Sequence, residues 1–294
     1  MMDCFSTPKK SARVLHAMKS GDFESWLEAQ PETTRSWLAV RNFKAEAGKT
    51  IVFPDARGEA AGAIAILPDA PDLWSLAAAV PHLGGKGIWK LQSADIDPGD
   101  AALGWALETY SFTGYASKAS SDLPRLVIGK SKSEQRAILI AQAIRRGRDL
   151  VNTPANDMGP EELQSAVEAL AERYGARLSV TKGAELERDF PMIHAVGHGS
   201  ERRPRLLDLT WGKKKAPKVT LVGKGVCFDT GGLDLKPPAA MLNMKKDMGG
   251  AAMTIALADA IMALDLNVRL RLLVPAVENS VSGRSCSAAA ALKQ

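Results

Sequence analysis

The chain has little cysteine: three residues in 294, Cys4, Cys227 and Cys286, with no Cys-x-x-Cys pair among them. An odd, scattered set excludes a disulfide framework and a structural zinc knuckle, and it fits a reducing compartment. Aromatics are also scarce, at 5%, and none interleaves with the basic stretches. No long apolar run is present. The longest, Met248–Leu264, is interrupted by Asp259 and is too short and too charged to span a bilayer. The opening MMDCFSTPKKSARVLHAMKSGDF has basic residues but no apolar core, so no secretory leader is expected. The expectation is a soluble, cytoplasmic protein with no membrane partner. Two signatures of catalysis are missing as well. There is no Gly-x-Ser-x-Gly elbow, and Gly223-Lys224-Gly225 lacks the spacing of a phosphate-cradling Gly-x4-Gly-Lys-Ser/Thr loop.

What is present is an ordinary globular composition, 46% hydrophobic and 24% charged, in a chain long enough for two cores. The net charge of +5 is concentrated at Lys213-Lys214-Lys215 and between Arg125 and Arg148. Without a helix-turn-helix or finger pattern these read as a solvated loop and a solvated helix face, and no nucleic-acid partner is specified.

In the first third, Ile51–Phe53, Ala63–Leu67 and Ile88–Leu91 read as strands, with helices over 72–80 and 100–110 between them. A small α/β domain is expected over 1–125. Its histidines, His16 and His82, are isolated and have no carboxylate at ligand spacing. The Ser-, Lys- and Gly-rich stretch 114–132 reads as a linker, and a linker helix over 126–150 opens on a capping box, Ser131 to Glu134. Over 160–175, Pro160 fits a first helical turn and Gly175 a C-terminal cap. Leu163, Ala166, Val167, Leu170, Ala171 and Tyr174 form one stripe at helical spacing. Strands over 177–180, 206–210, 218–223 and 268–274 alternate with helices, including one over 248–264. The fold class is therefore α/β: a small N-terminal α/β domain, then a mixed, largely parallel sheet flanked by helices over 151–284.

The chemistry is concentrated in Val222-Gly-Lys-Gly-Val-Cys-Phe-Asp-Thr-Gly-Gly-Leu-Asp-Leu-Lys-Pro237 and Asn243-Met-Lys-Lys-Asp-Met-Gly-Gly-Ala251. A strand runs into a stretch with four glycines, Gly223, Gly225, Gly231 and Gly232, where backbone can approach a ligand closely. Lys224, Asp229, Asp234, Lys236 and Asp247 are interleaved. Lysines and carboxylates converging at the carboxyl end of a sheet need a reason to lose solvent, and divalent cations supply one.

These segments, with Asn152-Thr-Pro-Ala-Asn156 and Pro275-Ala-Val-Glu-Asn279, resemble the cytosolic leucine aminopeptidase family, peptidases that use two adjacent metal ions. The resemblance implies that Lys224, Asp229 and Asp247 are metal ligands, Lys224 as a neutral amine and Asp229 as the bridge between both ions. It implies that Lys236 is the catalytic lysine, charged and contacting the scissile carbonyl oxygen, and that Met244 lines the pocket for the substrate's first side chain. Asp234 and Cys227 match no ligand position. Also implied are two divalent ions, Mn2+ or Zn2+, a bicarbonate base, peptide substrates and a homo-hexamer. The accessory N-terminal domain fits by position only.

A family member would continue past Ser280-Val-Ser-Gly-Arg284 into an Asn-Thr-Asp-Ala-Glu-Gly-Arg segment with further carboxylates and an arginine. Here the sequence runs into Ser285–Gln294, and no Asp or Glu follows Glu278. The expectation is an incomplete catalytic domain over 151–284 with an aberrant tail over 285–294, an inactive or impaired fragment whose unfilled sheet exposes an edge near 268–274. The alternative is a non-catalytic paralogue with a regulatory or DNA-binding role.

Overall fold

The structure, a computed structural model, describes residues 2–116 and 123–282. The expected tail over 285–294 and part of the expected linker lie outside the described residues. The chain divides into two compact units, Met1–Gln142 and Ala143–Gln294.

The first unit is built on β1 (Phe5–Ser6), β2 (Arg13–Lys19), β3 (Thr50–Pro54), β4 (Ala60–Leu67), β5 (Gly87–Gln92) and β6 (Pro124–Val127). They lie in the order β1-β6-β5-β2-β4-β3, and only β3 runs antiparallel to its neighbour. Helices α1 (Phe23–Glu28), α2 (Glu32–Val40), α3 (Leu73–Ala77) and α4 (Pro98–Glu108) connect them. Asp72 and Asp97 cap α3 and α4 by accepting backbone N–H groups of the first turn. Trp89, Trp105, Leu15 and Leu76 are fully buried at the centre. The central strand, β2, has no counterpart in the sequence reading. Arg13, His16 and Lys19 break its apolar pattern, and pairing with β4 and β5 on both sides holds it instead.

The linker expectation is corrected here. Residues 124–127 are not linker but β6, hydrogen-bonded between β1 and β5 with Leu126 buried. The long helix α5 (Lys132–Asn152) begins only after that strand. Its expected start is present: Ser131 Oγ accepts from Glu134 N–H at 3.2 Å, and Glu134 accepts from Ser131 N–H at 3.1 Å.

The second unit contains α6 (Pro160–Tyr174), β7 (Arg177–Lys182), α7 (Ala184–Asp189), α8 (Pro191–Gly197), β8 (Arg205–Gly212), β9 (Lys218–Val222), β10 (Gly225–Asp229), α9 (Pro238–Met241), α10 (Gly249–Ala263) and β11 (Arg269–Asn279). Leu163, Val167, Leu170 and Ala171 of α6 are buried, and Gly175 closes the helix at φ 62°. The sheet is mixed: β9 and β10 run parallel to β11, while β8 runs antiparallel to both β11 and β7. The strand over 268–274 is therefore not an edge. β11 is the hub of the sheet, with β8 on one side and β9 and β10 on the other. Among the described residues the open edges are β7 on one side and β9 and β10 on the other, where Val222 is 65% exposed.

Asp259, which breaks the apolar run over 248–264, is 1% exposed in the middle of α10. Arg146 of α5 ion-pairs with it, and Tyr174 Oη donates to its Oδ1 at 2.7 Å. Arg146 thus faces inward rather than extending a solvated basic face. Burial first, and the hydrogen bond to Asp259 second, push the Tyr174 hydroxyl above its ordinary pKa. Among the described residues no helix is long and apolar enough to cross a membrane.

Removing one member of a buried ion pair leaves the other charge without a partner. Arg146→Met should destabilise the chain by about 2–3 kcal/mol, below the full buried-pair cost because the arginine is about a third exposed. Arg146→Met with Asp259→Leu should recover most of that loss in urea denaturation. A double variant less stable than the single one would contradict this account.

Candidate functional site

The register of the sheet positions the site. Lys218 to Val222 pair with Arg269 to Leu273, and Gly225 and Val226 pair with Ala276 and Val277. Both sets share one offset, so β9 and β10 are a single line along β11, interrupted only at Gly223-Lys224. Two hydrogen bonds define the interruption. Gly223 N–H still donates to Leu273 O at 3.0 Å, whereas Lys224 O accepts from Ala251 N–H at 2.9 Å, at the start of α10. An orphan donor of a helix N-terminus is satisfied by the strand carbonyl. Glycine is required for this approach: a Cβ on Gly223 would lie 2.1 Å from Thr254 Oγ1 and 2.7 Å from Ala251 Cα.

The break exposes the Lys224 side chain and brings it to Asp247, 23 residues on, in a 3-10 turn over 244–248. Lys224 Nζ donates to Asp247 Oδ1 at 2.9 Å. Asp247 Oδ2 lies 2.8 Å from the same ammonium as an ion pair, but it is buried and makes no hydrogen bond. Lys224 itself is 60% exposed.

At the other end of β10 a register shift between Val226 and Asp229 leaves Asp229 opposite Asn279, each the last residue of its strand. Asp229 Oδ1 accepts from Gly231 N–H at 2.9 Å and from Asn279 Nδ2 at 2.7 Å, and Oδ2 is ion-paired with Lys236. Gly231 and Gly232 have φ of 92° and 68°, which turns the chain back so that Lys236 N–H reaches Thr230 O at 2.9 Å. Burial pushes the Asp229 carboxyl up, but the hydrogen bonds from Lys236, Gly231 and Asn279 outweigh it and hold the group below the usual carboxylate range.

The structure thus brings together Lys224 with Asp247, and Asp229 with Lys236. Met244 begins the 3-10 turn that carries Asp247 and is half-buried. Asp234 is exposed. Cys227 is buried, and burial pushes its thiol up to about 12. Two partners escaped the sequence reading. Asn279 holds Asp229, and Lys245 Nζ donates to Asn152 O at 2.8 Å, tying the turn to the Asn152–Asn156 motif. Local sequence has no signal for contacts across 50 and 93 residues.

As a metal site these residues fit in part. Two carboxylates and an amine are suitable donors, and the buried oxygen of Asp247 without a hydrogen bond is what a ligand awaiting a cation would present. Among the described residues, however, no three His, Cys, Asp or Glu side chains gather into a metal-binding group.

A model of the cytosol aminopeptidase family catalytic domain matches residues 145–292, and one of the M17 aminopeptidase N-terminal domain matches 14–129. A probable cytosol aminopeptidase of Corynebacterium efficiens is 44% identical over 194 residues, covering 62% of this chain and 39% of its own length. The crystal structure of a cytosol aminopeptidase from Coxiella burnetii superposes with a TM-score of 0.89 at 39% identity, over 97% of this chain and 63% of that one. The bottromycin maturation enzyme BotP, in complex with Mn, gives 0.78 at 29% identity, over 93% of this chain and 61% of its own. The chain therefore spans less than half of that curated relative and less than two thirds of either solved chain.

Because Gly223 has no room for a side chain, Gly223→Ala should move α10 away from the strand break and cost about 1–3 kcal/mol. Gly249→Ala, whose Cβ meets nothing within 4 Å, should be near neutral. Urea denaturation compares the two; equal stability would show that the close approach is not needed.

Proposed function

The chain belongs to the cytosol aminopeptidase family, and on that premise we propose that it carries part of the active site of a metal-dependent aminopeptidase that removes the first residue of peptides. The observation that carries the reading is the meeting of Lys224 and Asp247 from two separate motifs, with one buried oxygen of Asp247 making no hydrogen bond.

Lys224, Asp247 and Asp229 would hold the ions. Mn2+ or Zn2+ are the candidates, and the Mn complex of BotP supports a divalent cation. When bound, such ions supply a Lewis acid and a water of lowered pKa. Lys224 serves as a ligand only once its ammonium has lost a proton, which neighbouring cations favour. Lys236 keeps its proton and places positive charge where negative charge grows on the scissile carbonyl oxygen. Met244 offers an apolar surface to a leucine-like first side chain. In the reaction water adds its oxygen to the carbonyl carbon, the C–N bond breaks, and the departing amine takes up a proton. The hexamer and the bicarbonate base that the family resemblance implies belong to this same reading of the longer proteins.

Three donor side chains, two of them acidic, are few for a pair of divalent ions. The chain alone should therefore bind Mn2+ weakly and show no more than trace release of leucine from a leucyl anilide. Residues 1–284 joined to the C-terminal part of a related aminopeptidase should take up two ions and hydrolyse the substrate in a chelator-sensitive way. A gain of several orders of magnitude is expected. A well-folded, metal-loaded chimera with no peptidase activity would refute the assignment, and strong activity from the chain alone would show that three donor side chains suffice.

The two lysines should separate in the chimera. Lys224→Arg should lose metal, because a guanidinium cannot be deprotonated. Lys236→Arg should retain metal and lose turnover. Full metal content in both variants, measured by elemental analysis, would overturn the division of roles.

A further inference from the structure

Asp229 is held by more than its lysine. Its Oδ1 receives two donors, the Gly231 N–H at 2.9 Å and the Asn279 amide at 2.7 Å, while among the described residues Oδ2 faces the Lys236 ammonium alone. Because a carboxylate only accepts, the Asn279 side chain must present its NH2 group, and its orientation follows. Asn279 is itself fixed. Its backbone carbonyl accepts from Thr230 N–H and from Thr230 Oγ1, both at 2.9 Å, and it lies opposite Asp229 just past the register shift. That shift lets two strand-terminal side chains meet.

We infer that Asn279 is a positioning residue for Asp229: it engages Oδ1 from the neighbouring strand so that Oδ2 is the oxygen free to exchange a lysine for a cation. The inference rests on the metal-site reading of Asp229. A carboxylate with one oxygen engaged cannot turn both toward the same ion, so its mode of coordination is set before a cation arrives. Partners behind a ligand commonly change metal affinity by about 10–100-fold when removed.

The test is Mn2+ binding to the full 294-residue chain, followed through the EPR signal of the free ion, with circular dichroism confirming the fold of each variant. Asn279→Leu keeps the side chain's size and removes the donor; it should weaken binding about tenfold. Asn279→Ser, too short to reach the carboxylate, should do the same and carries the test if the leucine variant does not fold. Thr230→Val removes the hydroxyl that donates to the Asn279 backbone and accepts from Gly232 N–H, without touching the carboxylate, and it should leave affinity within about twofold. Equal losses in Thr230→Val and Asn279→Leu would mean that Asn279 acts only through local structure, and the inference would fall. Unchanged binding in both Asn279 variants, with loss in Asp229→Ala, would overturn the inference and leave the proposed function standing. Unchanged binding in Asp229→Ala would overturn both.

Discussion

Residues 218–226 follow β11 in one register but cannot form one continuous strand, because the N-terminus of α10 takes the Lys224 carbonyl. The rest of the site depends on this competition. The backbone leaves the ladder at Gly223-Lys224, where only glycine lets the helix approach, and rejoins it at Gly225 with the offset unchanged. A side chain on an uninterrupted strand would project to one face of the sheet. At the break it instead extends toward the 3-10 turn that precedes α10, and Lys224 meets Asp247 there. The same helix that breaks the strand also follows directly on the turn that holds the partner carboxylate.

The second pair is built by a different device. A bulge in β10 and two left-handed glycines fold the chain back so that Lys236, seven residues on, reaches Asp229. Local geometry supplies the lysine, and the neighbouring strand supplies the amide. The two acids therefore differ in setting. Asp229 has both oxygens engaged by several donors, whereas Asp247 depends on a single, largely exposed ammonium. Of the two, the Asp247 carboxylate has the fewer hydrogen bonds to give up if a cation takes the lysine's place.

Much of this was legible where chemistry is local. The capping box at Ser131 and the stripe of α6 with its Pro160 and Gly175 boundaries follow from spacing and cap residues, and α10 from its apolar run between strands. The two site segments stood out because glycine, lysine and aspartate are dense there. What failed to read was set by distant partners. β2 is a strand because strands on both sides complete its hydrogen bonds, and β10 is one because β11 pairs with it. Residues 124–127 read as linker because four residues are too few to show a period. Arg146 read as a solvated charge because nothing near it in sequence announces Asp259, 113 residues away. Asn279 could be quoted as part of a motif, yet its role depends on a strand that was itself read as loop.

The place of β11 in the sheet bears on how the protein is made. Among the described residues β9 and β10 find their strand partner in β11 alone, and about 50 residues separate each paired position. At about 5–20 residues per second, a ribosome needs several seconds to deliver that partner. During this interval β7 and β8 can already pair as an antiparallel unit, but the strands that carry Lys224 and Asp229 have no ladder to join. The second unit therefore cannot close progressively from its N-terminus as it emerges. The strands that carry Lys224 and Asp229 must wait until β11 arrives and the sheet assembles around it.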